Sequence, residues 1–254
     1  MGMPKYKILG RDTSKYIAVF LMFWTHLLAW VTLMRNPDAG SVYALMPLRV
    51  RIIAHISFFC PAVMFFSAAD GWRYTRDRRK YMLRLLLFAA VTQPLDWLIF
   101  RPVYGLWHTN VLFTLLLGLL AIAAWESGLR LRLRVLLVAA CAGLSAVIYS
   151  DWLIFGVLMI LFLHIYRERP VRRFAAYLLL TACWLLLNAA AMQYDRQFTL
   201  CKTADFAVLI GSYFCMTVLY SGKPGRHPVF SKWFFYAFYP AHYLIIILIE
   251  RITR

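Results

Sequence analysis

Long apolar stretches alternate with short polar connections along the whole chain. A membrane-spanning helix needs roughly 20 predominantly apolar residues. The pattern therefore predicts an all-α polytopic transmembrane helix bundle with about nine spanning helices, forming a single integral-membrane domain over residues 1–254. Only Ser150 and Asp151 separate the fifth and sixth stretches, which predicts a tight turn. The nine stretches are 16–34, 50–70, 81–100, 109–125, 135–149, 151–166, 174–192, 204–220 and 232–250.

The composition excludes two other classes of protein. Apolar and aromatic residues make up 63% of the chain and charged residues 15%. Disordered chains are poor in apolar residues. A soluble monomer of 254 residues cannot bury so many apolar side chains in one core. The class that remains is a membrane protein, whose apolar surface contacts lipid.

The charge is strongly basic, with 28 Lys and Arg against 11 Asp and Glu and a formal net charge of +17. In a soluble protein this would suggest a nucleic-acid partner. In a membrane protein, loops rich in Lys and Arg lie on the cytoplasmic side. With a cytoplasmic N-terminus, 20 of the 28 cations fall on that side. We therefore expect this orientation, a retained first helix rather than a removed signal peptide, and no nucleic-acid partner.

The sequence lacks the common motifs that bind nucleotides or metals in soluble proteins. There is no glycine-rich dinucleotide motif, P-loop or HExxH, and the five cysteines lack the paired spacing of a zinc or redox site. We expect no metal. Polar side chains at membrane depth are costly, so each is a functional candidate.

The first candidate is His26, in the middle of the first apolar stretch. Lys15 lies eleven residues earlier, which in a helix is about 20° beyond three full turns and about 16 Å along the axis. Both side chains therefore share one face, with Lys15 at the surface and His26 near the membrane centre. This suits an anionic cosubstrate and proton transfer by the imidazole. The alternative is a structural His and a cation that only sets topology.

The second candidate is the segment from Asp70 to Tyr81, which is dense in cations. Arg76, Arg78 and Arg79 would hold phosphates well, although such cations also set topology. Asp70 interrupts an apolar run at the predicted inner boundary.

Other polar residues lie near the outer ends of the third and fourth stretches. Gln93, Asp96 and Asn110 would form either a polar pocket for an acceptor or a hydrated loop boundary. Asp151 is expected to be a cap or turn residue at the outer hairpin. His242 lies centrally in the ninth stretch, just after Pro240, and is either structural or catalytic.

Several segments, in order along the chain, resemble the TraX family, within the acyltransferase-3-like membrane acyltransferases. The spacing from Lys15 to His26 is similar to the basic-x10-His signature in the first helix of those acyltransferases. The resemblance extends from residue 15 to about 250. Its remaining segments are Asp70 to Arg76, Arg79 to Leu85, Asn110 to Gly118, Ser150 to Leu158, Tyr220 to Lys223 and Phe234 to His242.

The founding member of that family N-acetylates a conjugative pilin. The resemblance therefore implies a bacterial inner-membrane acetyltransferase that uses acetyl-CoA as cosubstrate. The acceptor would be an amine or hydroxyl, on a pilin-like protein N-terminus or a cell-surface glycan. His26 would be the base or would stabilise the tetrahedral intermediate, with Asn110 and His242 as hydrogen-bond donors. The CoA phosphates would bind Lys15, Arg76, Arg78 and Arg79.

One position departs from the family pattern. The family usually has Asp directly before the helix-one His, and Thr25 stands here. If that Asp orients His26, another carboxylate must do so, and Asp96 and Asp70 are the candidates. Two other functions remain open. A non-catalytic assembly or scaffold protein for conjugation or surface appendages would not bind acetyl-CoA. A transporter would need a continuous polar path and usually an internal repeat, and neither is seen.

Overall fold

The computed structural model describes residues 6–35, 48–104, 108–190 and 196–253. Within these ranges the regular structure is helical, and the only β-type pairings are two isolated bridges, Leu9 with Tyr220 and Thr109 with Ser150. The prediction of an all-α fold is confirmed.

The contacts group the chain into two compact units. The terminal unit consists of residues 1–64 and 193–254, and the central unit of residues 65–192. One domain over residues 1–254 stays a prediction.

The terminal unit is built on a long first and a long last helix. The first packs against the last and against the short second helix, which also contacts the ninth. The helices are α1 (Arg11–Arg35), α2 (Leu48–Ile56), the start of α3 (Phe59–Tyr74), α9 (Arg196–Phe214), a π-helical turn (Cys215–Leu219) and α10 (Pro228–Thr253).

The central unit surrounds one apolar helix, α5, which contacts three others. Two glycines allow α5 and α7 to approach closely. A Cβ at Gly118 would lie 2.5 Å from Ile160 Cδ1, and one at Gly156 would lie 2.5 Å from Thr114 Cγ2. Small residues at helix contacts are typical of membrane bundles. The helices are the rest of α3, α4 (Arg78–Tyr104), α5 (Val111–Trp125), α6 (Leu131–Val147), α7 (Leu153–Ile165) and α8 (Pro170–Ala190).

The apolar stretch 50–70 lies within one candidate span, Val50–Tyr74, and a turn at Ser57 and Phe58 interrupts its helix. The structure divides it into α2 and α3. Pro61 is the cause, since it lacks an N–H and its ring excludes a helical carbonyl four residues earlier, at Ser57. The Ser57 hydroxyl instead donates to the Ala54 carbonyl at 2.6 Å.

The helices indicate a membrane protein. Six segments in the described part of the chain are long and apolar enough to cross a bilayer, while Val111–Trp125 and Leu153–Ile165 are apolar but shorter. Nine spans, the cytoplasmic N-terminus and the inner membrane stay predictions. The six segments are Arg11–Val31, Val50–Tyr74, Arg78–Phe100, Pro170–Asn188, Lys202–Leu219 and Pro228–Ile252.

Candidate functional site

Helices α1 and α10 run parallel, because their contacts advance in the same direction along both. Near the start of α1, the Tyr16 ring packs 5.1 Å from the Phe234 ring and 4.7 Å from the Phe235 ring. Near its end, Trp30 Nε1 donates to Glu250 Oε2 at 3.1 Å. These contacts hold the middle of the two helices side by side.

Two histidines meet in that middle region. His26 Nδ1 lies 3.1 Å from His242 Nε2. His242 is fully buried, whereas His26 is half-buried. Of the two imidazoles, therefore, His26 is the more exposed.

The hydrogen bonds of the pair assign its protons. His242 Nδ1 lies 3.3 Å from the Phe238 carbonyl oxygen, which only accepts, so this nitrogen carries the hydrogen. In neutral His242, Nε2 then accepts from His26 Nδ1–H. The lone pair of neutral His26 is consequently on Nε2, the nitrogen that would take a proton from a substrate.

Aromatic rings and Thr25 complete the surroundings. The Tyr243 ring stacks 5.8 Å from the His26 ring and lies 4.0 Å from the His242 ring. Thr25, where the family usually has Asp, has a buried hydroxyl without a hydrogen-bond partner among the described residues. The group placed against His26 Nδ1 is therefore a histidine from α10. The expected substitutes, Asp96 and Asp70, both belong to the central unit.

The start of α1 is tied to the loop that precedes α10. The Asp12 carboxylate accepts from the Gly225 N–H at 3.0 Å, and Arg11 Nη2 donates to the Gly222 carbonyl at 3.2 Å. A Cβ at Gly225 would lie 2.5 Å from Asp12 Oδ2, so only glycine permits this approach. One turn further on, Lys15 Nζ lies 5.4 Å from the centre of the Phe235 ring.

A second imidazole in the terminal unit bonds to a carboxylate. His55 Nδ1 donates to Asp205 Oδ1 at 2.7 Å, and Lys202 Nζ donates to Asp205 Oδ2 at 3.2 Å. Asp205 is only 2% exposed. The Lys202 charge and the His55 hydrogen bond offset the cost of burying this carboxylate, so the cluster ties α2 to α9.

In the central unit, the structure brings Gln93, Asp96 and Asn110 together. Asn110 caps α5, since its side-chain oxygen accepts from the Leu112 N–H at 3.1 Å. Its Nδ2 donates to the Ala89 carbonyl at 3.0 Å and to Gln93 Oε1 at 2.9 Å. Gln93 Nε2 lies 3.5 Å from Asp96 Oδ2. Asn110 is fully buried, and these bonds favour a structural role, while its catalytic role stays a prediction.

His108 lies between two carboxyl groups at the same end of the unit. Its Nε2 is 3.6 Å from both Asp96 Oδ2 and Asp151 Oδ1. Burial lowers the pKa of His108, and the Asp96 charge and the Tyr149 backbone offset only part of this. No group of His, Cys, Asp or Glu in the described ranges is arranged to hold a metal ion. At 3.6 Å neither contact is a hydrogen bond, so the three groups interact through their charges.

Asp151 belongs to the predicted tight turn between α6 and α7. Burial raises its pKa to about 7, against the lowering effect of a hydrogen bond from the Val111 backbone. The exposed part of the side chain, 38%, reduces this effect through solvent screening. Ser150 Oγ lies 2.6 Å from Ser145 Oγ and accepts from Thr114 Oγ1 at 3.0 Å. These hydroxyl contacts fix the turn.

At the other end of the central unit, Glu126 accepts three hydrogen bonds. The donors are Trp72 Nε1 at 3.0 Å, Arg78 Nη1 at 2.7 Å and His164 Nε2 at 2.8 Å. Burial would raise the pKa of Glu126, but the Trp72 and His164 hydrogen bonds and the Arg78 charge outweigh it and lower the pKa. Arg78 also lies 4.4 Å from the centre of the Trp72 ring.

The other predicted phosphate ligands are solvent-facing. Arg76 and Arg79 are exposed, as is the nearby Asp77 with its ion pair to Lys80. Asp70 lines a pocket beside α7 and α8. The structure thus places three arginines near the start of α4, while Lys15 belongs to the terminal unit.

Sequence reasoning missed Asp205 and Glu126. Asp205 lies inside the apolar stretch 204–220 and Glu126 directly follows the stretch 109–125, a signal that would have identified each as a candidate. The partners, however, are distant in sequence, with His55 150 residues before Asp205 and Trp72 54 residues before Glu126.

Comparison with known proteins adds two findings. Residues 10–250 match the family model described as TraX protein. The chain is 33% identical over 197 residues to the probable fimbrial assembly protein FimC, serogroup H1, of Dichelobacter nodosus. That match covers 72% of this chain and 77% of the relative. No solved structure matches the chain.

Proposed function

The chain belongs to the TraX family, and from this premise we propose that it is a membrane acetyltransferase. It moves an acetyl group from acetyl-CoA to an amine or hydroxyl acceptor, on a pilin-like protein or a cell-surface glycan. The family and the relative fit a conjugation- or pilus-related membrane protein. The acceptor chemistry and the inner-membrane location are part of the proposal.

The observation that carries the proposal is the His26–His242 pair. The acceptor gives its N–H or O–H proton to Nε2 of His26 while its nitrogen or oxygen bonds to the acetyl carbon. The bond from that carbon to the CoA sulfur breaks, and the departing thiolate takes the proton from His26. Protonated His26 is held through Nδ1–H by His242 Nε2. A general base of this kind contributes about 10²–10⁴-fold to rate.

The phosphates of acetyl-CoA require cations at a helix end. Arg76 and Arg79, which are exposed in the central unit, are proposed for this role. Arg78 would divide its guanidinium between a phosphate and Glu126, to which it bonds at 2.7 Å. Lys15 would bind a phosphate from the first turns of α1, the helix that also carries His26.

The test is release of CoA thiol from acetyl-CoA by the purified chain in detergent, with a panel of amines, hydroxyls and pilin-derived peptides. We expect His26→Ala to lower the acceptor-dependent rate at least about 100-fold. His227→Ala is the matched control, since His227 is an exposed histidine beside α10, and it should keep the wild-type rate. Wild-type activity in His26→Ala would remove the proposed base.

Binding is measured separately by calorimetry with acetyl-CoA. The paired Arg78→Ala/Arg79→Ala variant should weaken binding, whereas His26→Ala should leave it close to wild type. The absence of binding at millimolar acetyl-CoA, in folded protein, would contradict an acetyl-CoA-dependent enzyme.

A non-catalytic assembly role is the second proposal, and the name of the Dichelobacter nodosus relative favours it. In that case the chain would support formation of a pilus or fimbria through contacts alone. Complementation of an assembly-deficient strain separates the two proposals. If the chain is a scaffold, the His26→Ala variant should restore assembly as well as the wild type does. If it is an enzyme, the acceptor should stay unmodified in the strain that carries His26→Ala.

A further inference from the structure

The loop that precedes α10 is fixed against the start of α1 by backbone hydrogen bonds. The Leu9 N–H donates to the Leu219 carbonyl at 2.9 Å, and the Ser221 N–H donates to the Leu9 carbonyl at 2.8 Å. Further along, the Arg11 N–H donates to the Lys223 carbonyl at 2.9 Å. The loop is therefore held at several points along its length, within the terminal unit.

Two glycines give this loop, residues 220–227, its shape. Gly222 has a φ of 69°, in the left-handed region that favours glycine. Gly225 lies so close to Asp12 that a Cβ would meet Oδ2 at 2.5 Å. A loop that is fixed in advance loses little conformational entropy when a ligand binds to it. We call it the basic loop, because of the side chains that it carries.

The basic loop presents two exposed cations, Lys223 and Arg226. A third cation, the half-buried Lys15, lies in the first turns of α1, to which the loop is bonded. Cations that only set topology act from any loop on the cytoplasmic side and need no fixed geometry. Here the backbone that carries them is fixed, which is what a binding site requires.

Acidic residues are rare at this end of the terminal unit. In residues 6–35 and 219–233 the only one is Asp12. Its carboxylate is buried and accepts from the Gly225 N–H. An anion that approaches the exposed cations therefore meets no exposed carboxylate from these two segments.

We propose that Lys223 and Arg226, together with Lys15, bind the phosphates at the nucleotide end of acetyl-CoA. This inference rests on the proposed acetyl-CoA-dependent function. Lysine and arginine bind phosphate through charge-assisted hydrogen bonds. The thioester of acetyl-CoA is at the far end of an extended arm from its nucleotide, and His26 lies about 16 Å along α1 from Lys15. The terminal unit thus holds both the phosphate site and the proposed base.

The first test is calorimetry of acetyl-CoA with the full chain in detergent. Lys223→Ala/Arg226→Ala should weaken binding about tenfold or more, as expected when charge-assisted hydrogen bonds are lost. The variant keeps the backbone bond between Arg11 and residue 223, so the loop should stay in place. The matched control Arg130→Ala/Arg132→Ala removes two exposed cations beside the start of α6 and should stay within about twofold of wild type.

The second test uses adenosine 3′,5′-bisphosphate, which has phosphates on a nucleoside but neither the arm nor the thioester. It should displace acetyl-CoA from the wild type, and Lys223→Ala/Arg226→Ala should weaken both ligands by a similar factor. Failure to displace acetyl-CoA would overturn the assignment to phosphates. In acetyl transfer, the loss in this variant should appear in KM for acetyl-CoA, whereas the loss in His26→Ala should appear in kcat.

The outcomes separate this site from the proposed function. If the wild type binds acetyl-CoA and Lys223→Ala/Arg226→Ala binds it equally well, the site is wrong and the enzyme proposal stands. If the folded wild type does not bind acetyl-CoA, the enzyme proposal itself fails. Native mass spectrometry with phosphatidylglycerol covers the other source of phosphate. Loss of lipid binding in the loop variant, with unchanged acetyl-CoA affinity, would assign the basic loop to an anionic headgroup and overturn the proposal.

Discussion

Replacing Asn110 by alanine will lower the free energy of unfolding by about 3 kcal/mol. The side chain makes three hydrogen bonds from a fully buried position. Loss of an N-cap costs about 1 kcal/mol, and each of the two buried bonds made by Nδ2 contributes about 1 kcal/mol. The backbone N–H of residue 110 still donates to Gln93 Oε1, so that acceptor is not left unpartnered.

Asn110→Ser is the matched variant. Serine keeps an oxygen for the Leu112 N–H but has no amide to reach Ala89 or Gln93, so it should cost about 2 kcal/mol. The assay is unfolding in mixed micelles with increasing dodecyl sulfate, followed by tryptophan fluorescence. An alanine variant within about 0.5 kcal/mol of wild type, combined with lost acetyl transfer, would refute the structural role and favour the catalytic one.

Three further predictions use the same preparation. Gly118→Ala should cost about 1–3 kcal/mol, because its Cβ would lie 2.5 Å from Ile160 Cδ1, whereas Gly143→Ala enters open space and should not destabilise. The lowered pKa of Glu126 means that its contribution to stability is present above pH 4.5 and is lost as pH falls through the folded pKa. Melting from pH 7 to 3 should show this loss, and Glu126→Gln should flatten it. The pKa of Asp151, raised from 3.8 to about 7, has the opposite sign, so stability from this group is lost as pH rises from 3.8 to 7. Melting at pH 5 and 8 should show a larger drop in wild type than in Asp151→Asn, and equal drops would contradict the shift.

The spacing of apolar residues was enough to predict a helical membrane protein, because helix formation and lipid contact depend on local sequence. It was not enough to fix helix ends. Pro61 breaks the second stretch, and α1 begins at Arg11, five residues before the predicted position 16. Helix ends depend on caps and tertiary contacts, such as the bond between Asp12 and Gly225.

Individual site residues were predictable, whereas their partners were not. His26 and His242 stood out as polar groups inside apolar stretches, but 216 residues separate them. Only the parallel packing of α1 and α10 brings their rings together. The search for a carboxylate to replace the family Asp at Thr25 assumed that an acid must orient the imidazole, and the structure offers a second imidazole instead.

The most direct test of the central claim is a double-variant cycle on the histidine pair, measuring the rate of acetyl transfer from acetyl-CoA. If His242 acts through His26, His242→Ala will lower the rate, and the double variant will be no slower than His26→Ala alone, because residues that act as a unit are not additive. If the rate reduction in the double variant equals the product of the two single reductions, the two histidines act independently. A His26→Ala variant as active as wild type would contradict the account.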